Sequence, residues 1–590
     1  MALRIEDYGL IGDRQTTALV GKDGSIDFLC LPRFDSDACF AALLGNRENG
    51  RWLIAPVATV AGTNRYYRDD TLVLETEMTT ESGCIRLTDC MVPHPHETTR
   101  LVRQVTGLSG TVDMRLDLVF RFGFGKDVPW VRRLPDDKGL VAIAGPDMVV
   151  VWSDVVLEGR NQHTEAAFTV RAGETVTFAL EWIQSYHHIP RSFEVEHGID
   201  IATRAWQKWA QRIPVKGKWV HIVKRSLITL KALTHWETGG IVAAATTSLP
   251  EQLGGERNWD YRYCWLRDAS FTLQAFLTAG YHEEASAWRH WLDRAVAGSA
   301  ADIQIMYGIA GERRLSEWEV DWLEGYENSK PVRVGNAAAA QRQLDVYGEL
   351  MDTLYQAHRG GLKHDENSWQ VRCNLLEQLE SIWSEPDDGI WEVRGGRQQF
   401  VHSKVMAWVA FDRAIRSVEE FGYEGPTAHW RTIRQAIHDQ VCAEGFDVSM
   451  NSFVQAYGSK RLDASLLLLV VVGFLPPEDH RIVGTVAAIE QHLMQSGFVR
   501  RYNTTAGNDG LHGTEGVFLA CSFWLVDNYT LMGRLQDAET LFEQLINIRN
   551  DLGLFSEEYD TVNQRQVGNF PQAFTHVALV NSALRLSAAQ

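Results

Sequence analysis

The chain has 590 residues, 45% hydrophobic and 23% charged, the balance of a globular protein long enough for two to four domains. A formal net charge of -19 without any long basic run excludes a protein that neutralises nucleic-acid phosphates or docks on an anionic membrane, so a neutral substrate fits better. Eight scattered cysteines without closely spaced pairs point to reduced, buried thiols rather than a zinc site or a disulfide framework.

The first eight residues carry acids where a signal peptide needs a basic start and an apolar stretch, which predicts a cytoplasmic protein. The longest apolar run, residues 466–475, is far shorter than the roughly 20 residues of a membrane span, so no transmembrane helix is expected. From residue 25 to about 181 the pattern is one of short alternating apolar segments, as at 25–29, 71–76 and 167–170. Asp23-Gly24, Ser82-Gly83, Ser109-Gly110 and Ala172-Gly173 supply turn signals between them. An N-terminal antiparallel β-sandwich over 1–185 follows. Residues 186–215, with Pro190 and Pro214 around a helical stretch bearing Trp206 and Trp209, predict a helical linker that packs on its neighbours.

From 216 to 590 the period is helical. The breakers delimit twelve helices, near 216–236, 265–280, 282–299, 337–360, 366–384, 402–421, 427–444, 462–473, 479–494, 515–533, 536–548 and 572–587. Links after even-numbered helices are short, whereas links after odd-numbered ones are long: 237–264, 300–336, 385–401, 445–461, 495–514 and 549–571. If consecutive helices run antiparallel, all six long links emerge at one end of the bundle. Loops of that length in a compact domain are usually functional, and six around a closed ring would wall a pocket.

Four of the long links concentrate aromatics with charges: residues 259–268, 318–322, 387–392 and 555–559. Flat aromatic faces cover the C–H face of a pyranose while carboxylates and Arg satisfy its hydroxyls. Glycoside hydrolysis needs two carboxylates flanking the scissile bond, one protonated and one ionised. Glu392 follows Ile390 and Trp391, an apolar wall that would hold its proton and suit a general acid. Glu557, beside Glu558 in a polar loop, suits an ionised base. On the residues alone, Glu558, Glu385, Asp387 and Asp388 remain competitors.

The segment 7–13, the turn at 23–27, the Tyr-x-Tyr-x-Trp-x-Arg-Asp run at 261–268, the Trp391-Glu392 pair and Ser556-Glu557-Glu558 resemble glycoside hydrolase family fifteen, the glucoamylases and bacterial trehalases. The resemblance covers nearly the whole chain. It implies a β-sandwich joined by a helical linker to an (α/α)6 barrel, with Glu392 as general acid and Glu557 as general base. It also implies that Arg267 and Asp268 bind hydroxyls of the non-reducing glucose, that Trp265 shapes its pocket, and that Tyr263 stands on the base side. Arg501, Arg333, Asn336 and Glu558 follow as further substrate-binding residues.

The expected activity is an inverting, exo-acting α-glucoside hydrolase on a small α-glucoside: an α,α-trehalase, or a glucoamylase-type enzyme acting on maltose, isomaltose or short dextrins. The sequence carries no recognisable starch-binding module, which moves weight from polymer to a small substrate. Phosphorylases share the barrel architecture but use phosphate in place of activated water and need no base carboxylate, whereas Glu557 supplies one. No cofactor is implied. His402, His512 and His576 do not pair at a metal-ligand spacing, so no metal site is assigned.

Overall fold

The computed structural model describes residues 2–93, 98–135, 138–213, 216–363, 366–504, 510–511 and 513–590. The N-terminal part is antiparallel throughout, fifteen strands in one branched hydrogen-bonded sheet among the described residues. The strand Thr99–Val119 joins two layers. Its first half pairs with Gly83–Met91 and Thr175–Gln184, its second half with Arg51–Pro56 and His163–Arg171. The expected turn at Ser109-Gly110 is instead a bend within this strand. Gly110 sits at φ +66, where a Cβ would stand 2.1 Å from the Ser82 carbonyl oxygen, so a bare glycine lets the strand pass from one layer to the other. The strand expected over 71–76 begins only at Leu74.

The layers pack face to face, as the edge contact of Trp52 with Phe178 shows. Arg103, fully buried, pairs with Asp89 and donates to the Gly24 and Trp52 carbonyls of the facing layer. After the last strand ends at Gln184, the helix Val195–Ala210 lies between the two halves of the molecule. Val195, Ile199 and Ala202 pack on Val73, Val102 and Ala179 of the sandwich. On its other side Trp209 stacks on Tyr281 at 4.4 Å and donates to Glu284 at 2.7 Å.

A helix stands at each of the twelve expected places. They are Val220–Ala232, Leu266–Thr278, His282–Ala295, Asp345–Arg359, Glu366–Ile382, Val401–Phe421, Thr427–Glu444, the pair Ala464–Leu467 and Leu468–Val471, His480–His492, Leu519–Leu531, Leu535–Asn547 and Ala573–Ala589. The fourth starts later than its apolar pattern predicts, because residues 337–340 form a separate 3-10 turn capped by Asn336. The tenth does too, because Val517–Phe518 is drawn into a strand with Glu558–Asp560.

The even-numbered helices contact one another in sequence, and the twelfth returns to the second, closing the inner ring of an (α/α)6 barrel. Their burial explains the near-continuous apolar character of Val401–Phe421 and Leu519–Leu531. Each long link feeds the N-terminus of an inner helix, so six helix N-termini, with their positive partial charge, ring one end of the barrel.

Candidate active site

The pocket at that end has a volume of about 500 Å³, with walls that include Trp259, Tyr261, Trp265, Trp391, Glu392 and Arg501. Arg267 and Asp268 open the helix Leu266–Thr278, whose direction is set by the pairing of Cys264–Trp265 with Met306–Tyr307. Arg267 Nε donates to Asp268 at 3.0 Å, and its Nη1 to the Ile390 carbonyl and to Glu392 Oε1 at 3.2 Å. Trp265 Nε1 donates to the same Glu392 oxygen at 3.1 Å. Glu392 adopts φ +50, an uncommon backbone for a non-glycine residue. The Gln341 amide steadies it, donating to the Glu392 and Val393 carbonyls at 3.2 and 3.3 Å.

Burial raises the Glu392 pKa and the Asp268 charge adds to it, against the lowering effect of Arg267 and of hydrogen bonds from Trp265 and Gln343. The balance favours the protonated acid. Behind it, Arg267 faces not only Asp268 and Glu392 but also the buried Glu349 and Asp345. One cation among four carboxylates leaves protons bound: Asp345 is pushed up to about 7, chiefly by burial and then by Asp387. Trp391 is buried, donates from Nε1 to Asp463 at 2.9 Å, and packs against Phe518 and Trp524.

Glu557 does not lie in the polar loop that its neighbours predict. Glu558–Asp560 is a strand paired on both sides, with Val517–Phe518 and Arg565–Val567, so the ladder satisfies the backbone and the side chains are enclosed. Glu557 is 0% exposed. Its Oε2 accepts the Asn569 N–H at 3.2 Å, and the Tyr261 hydroxyl meets the same carboxylate from a ring that lines the pocket. Gly568, at φ +78, makes room: a Cβ there would stand 2.7 Å from Glu557 Oε2. Burial, and then the charges of Glu557, Glu251 and Glu392, hold the Tyr261 hydroxyl well above its ordinary pKa, so it stays a proton donor in the pocket.

Burial, and then the charge of Glu251, raise Glu557 to about 8, against the lowering effect of Arg501. Glu558, the next residue, is directed to Arg501 at 3.4 Å. Arg501 also reaches Glu251 at 2.8 Å and Glu515 at 2.6 Å, and Arg257 lies 3.5 Å from Glu515. The oxygens of Glu251, Glu515 and Glu558 are mutually close enough to hold a metal ion, but the Arg501 guanidinium bridges all three and takes the cation's place. Glu251, Glu557 and Glu558, buried together beside one guanidinium, are each raised and influence one another's ionisation. Because Glu251 opposes ionisation of Glu557, Glu251→Gln should move the acid limb of the pH–rate profile to lower pH, read from kcat/KM between pH 3 and 9; an unmoved limb would show that another group controls it.

The other expected site residues fall in different places. Tyr263 is turned away from the pocket by a bend in the chain and packs among Asp260, Arg262 and Gly335, and Tyr261 occupies the position expected of it. Arg333 donates to the Glu256 and Asn258 carbonyls and lies over Trp259 at 4.5 Å, a buttress rather than a wall. Arg394 covers Trp259 at 4.3 Å, and the indole Nε1 donates to Glu251. Asn336 lines the pocket while its side chain caps Ala338 and donates to the Asp260 carbonyl. The aromatic cluster at 318–322 seals the seam with the sandwich instead: Trp318 packs on Phe124, and Trp322 donates to the Phe124 carbonyl. His402 and His576 are each pushed down to about 3 by burial, with His576 bonded to Ser226; His512 lies outside the described residues. Sequence reasoning missed Glu251 and Arg257, and marked Trp259 and Tyr261 only as part of an aromatic segment without roles of their own; the signal was the first long link, 237–264, which holds all four.

The family model for glycosyl hydrolases family 15 matches residues 217–584, and a trehalase-like N-terminal model matches 1–191. The chain is 37% identical to a trehalase of Mycolicibacterium smegmatis, over 99% of this chain and 92% of that protein. It is 34% identical to a trehalase of Thermoplasma volcanium, over 99% and 94%. A bacterial glucoamylase solved in complex with acarbose shares the fold, with a TM-score of 0.74 at 12% identity over 100% of this chain and 94% of that one. With the sandwich, the closed helical ring and the carboxylate-lined pocket at its loop end, the chain belongs to glycosyl hydrolases family 15.

Proposed function

We propose that this glycoside hydrolase is an inverting α,α-trehalase, with Glu392 as general acid and Glu557 as general base. The observation that carries the substrate is similarity along the whole length, sandwich included, to trehalases of bacterial and archaeal origin. In this reading a glucose sits against Trp265, with hydroxyls held by Arg267 and Asp268. Glu392, kept protonated by burial and Asp268, gives its proton to the bridging oxygen. Glu557 takes a proton from water attacking the anomeric carbon from the opposite face. With its pKa raised to about 8, Glu557 is intrinsically a stronger base once ionised, and Arg501 lowers that pKa and so favours the ionised form. Eight unpaired cysteines and no helix among the described residues long and apolar enough to cross a membrane accord with a cytoplasmic enzyme.

Inversion leaves a record in the products. The attacked ring should leave as β-glucose and the other as α-glucose, in about equal amounts by proton NMR before mutarotation. Initial α-glucose alone would mean retention. A substrate panel of trehalose, maltose, isomaltose and maltotriose should show trehalose turned over fastest; maltotriose far ahead of trehalose would replace the trehalase reading with a glucoamylase-type one.

A further inference from the structure

A second and larger cavity, of about 1070 Å³, adjoins the catalytic pocket, and Val393 and Tyr502 line both. Val393 directly follows Glu392 and Tyr502 directly follows Arg501, so the cavity borders the catalytic pocket along the two segments that carry these residues. Its lining is unusual for a chain with a net charge of -19: Lys460, Arg461 and His492 are there, with no Asp or Glu among the described residues that line it. Phe400 and Tyr502 add aromatic surface.

The two permanent cations carry no ion pair among the described residues. Lys460 donates to Ser449 Oγ at 3.2 Å, and that hydroxyl in turn donates to Asp447, whose carboxylate feels the Lys460 charge. Arg461 donates to Ser459 Oγ and to Gln398 Oε1, both neutral acceptors. Elsewhere in the molecule arginines meet carboxylates directly, as Arg413, Arg434 and Arg481 do. A lysine and an arginine without a direct carboxylate contact, facing a cavity that adjoins the catalytic pocket, offer donors to an anion, since a doubly charged oxyanion accepts charge-assisted hydrogen bonds from both.

We propose that this cavity receives a phosphate monoester carried on the leaving sugar, so that the enzyme also hydrolyses α-glucosides whose leaving glucose is phosphorylated. The inference rests on the glycosidase reading above and extends its substrate class. The reaction is the same hydrolysis. Water oxygen bonds to the anomeric carbon, the glycosidic C–O bond breaks, the leaving oxygen takes the Glu392 proton and Glu557 takes one from water. The phosphate ester is untouched, and the products are glucose and a glucose phosphate.

The test measures kcat/KM for trehalose and for trehalose 6-phosphate in the parent chain and in a Lys460→Gln/Arg461→Gln variant, with inorganic phosphate as a separate addition. Both substituted residues belong to the link 445–461, and neither lines the catalytic pocket. The parent should hydrolyse trehalose 6-phosphate, and the variant should lose about tenfold or more on it, the worth of hydrogen bonds to a charged group, while trehalose turnover stays within about twofold. Added inorganic phosphate should inhibit the phosphorylated substrate more than trehalose. Hydrolysis of trehalose without trehalose 6-phosphate overturns this proposal alone. So does equal loss on both substrates in the variant, or stimulation of trehalose turnover by inorganic phosphate in place of competition. Failure on both substrates overturns the trehalase reading instead.

Discussion

Glu392→Gln and Glu557→Gln should each lower kcat on trehalose by about 10²- to 10⁴-fold, the range for loss of a positioned acid or base. Each amide keeps the shape of the side chain and removes only its ability to exchange a proton, so thermal unfolding should hardly change. The two variants should part on α-glucosyl fluoride, whose leaving fluoride needs little protonation. There Glu392→Gln should recover most of its rate, while Glu557→Gln should stay slow because water must still be deprotonated. Glu558→Gln should cost far less than Glu557→Gln, since Glu558 is directed to Arg501 rather than to the pocket side where Tyr261 meets Glu557. Equal losses at 557 and 558 would undo the choice between the neighbours. A Glu392→Gln enzyme no better on the fluoride than on trehalose would remove Glu392 from the role of acid.

Arg501→Met should destabilise the chain by about 3–5 kcal/mol, the cost of breaking a buried ion pair by removing one partner. The guanidinium is the direct partner of Glu251, Glu515 and Glu558, and it packs over Trp391 and Phe518. Met replaces the packing but not the charge. The sign of the pH dependence follows from protons retained in the folded state. Glu557 is raised from 4.5 to about 8, so between those pH values the folded chain holds a proton that the unfolded chain releases, and stability falls as pH rises through the window. Without Arg501 the retention is stronger. The gap between variant and parent, read as a shift in denaturant midpoint, should therefore stay level below about pH 7 and widen as pH rises through about 8, where the parent gives up the Glu557 proton and the variant keeps it. A gap under about 1 kcal/mol, or one that narrows with rising pH, would show that these carboxylates do not depend on Arg501 for their charge.

The alternation of short and long links was legible in the sequence because it depends only on where helical periodicity stops and starts. It was enough to place six loops at one end of a barrel, and the family resemblance then assigned roles to Arg267, Asp268 and Trp265, which the structure gathers with Trp391 and Glu392 around one pocket. The strand content of the first 185 residues was equally local, being carried by period-two segments. Where a local signal misled, tertiary pairing was the cause. Ser109-Gly110 has the residues of a turn, yet it bends inside a strand because partners on both sides hold the backbone extended.

Everything that sets the protonation of the site lies beyond local pattern. Glu557 looks like a solvated loop residue until the ladders on either side of Glu558 enclose it. Its strongest electrostatic neighbours, Glu251 and Arg501, come from links 306 and 56 positions away in the chain. Likewise Tyr263 and Tyr261 are equivalent in the sequence motif, and only the bend before Trp265 decides which ring faces the pocket. Residue type and periodicity determine which groups the chain can offer to sugar chemistry. Which of them meet, and which carboxylate keeps its proton, was decided by the closed ring, because burial and Coulomb forces act through space between links that the sequence keeps apart.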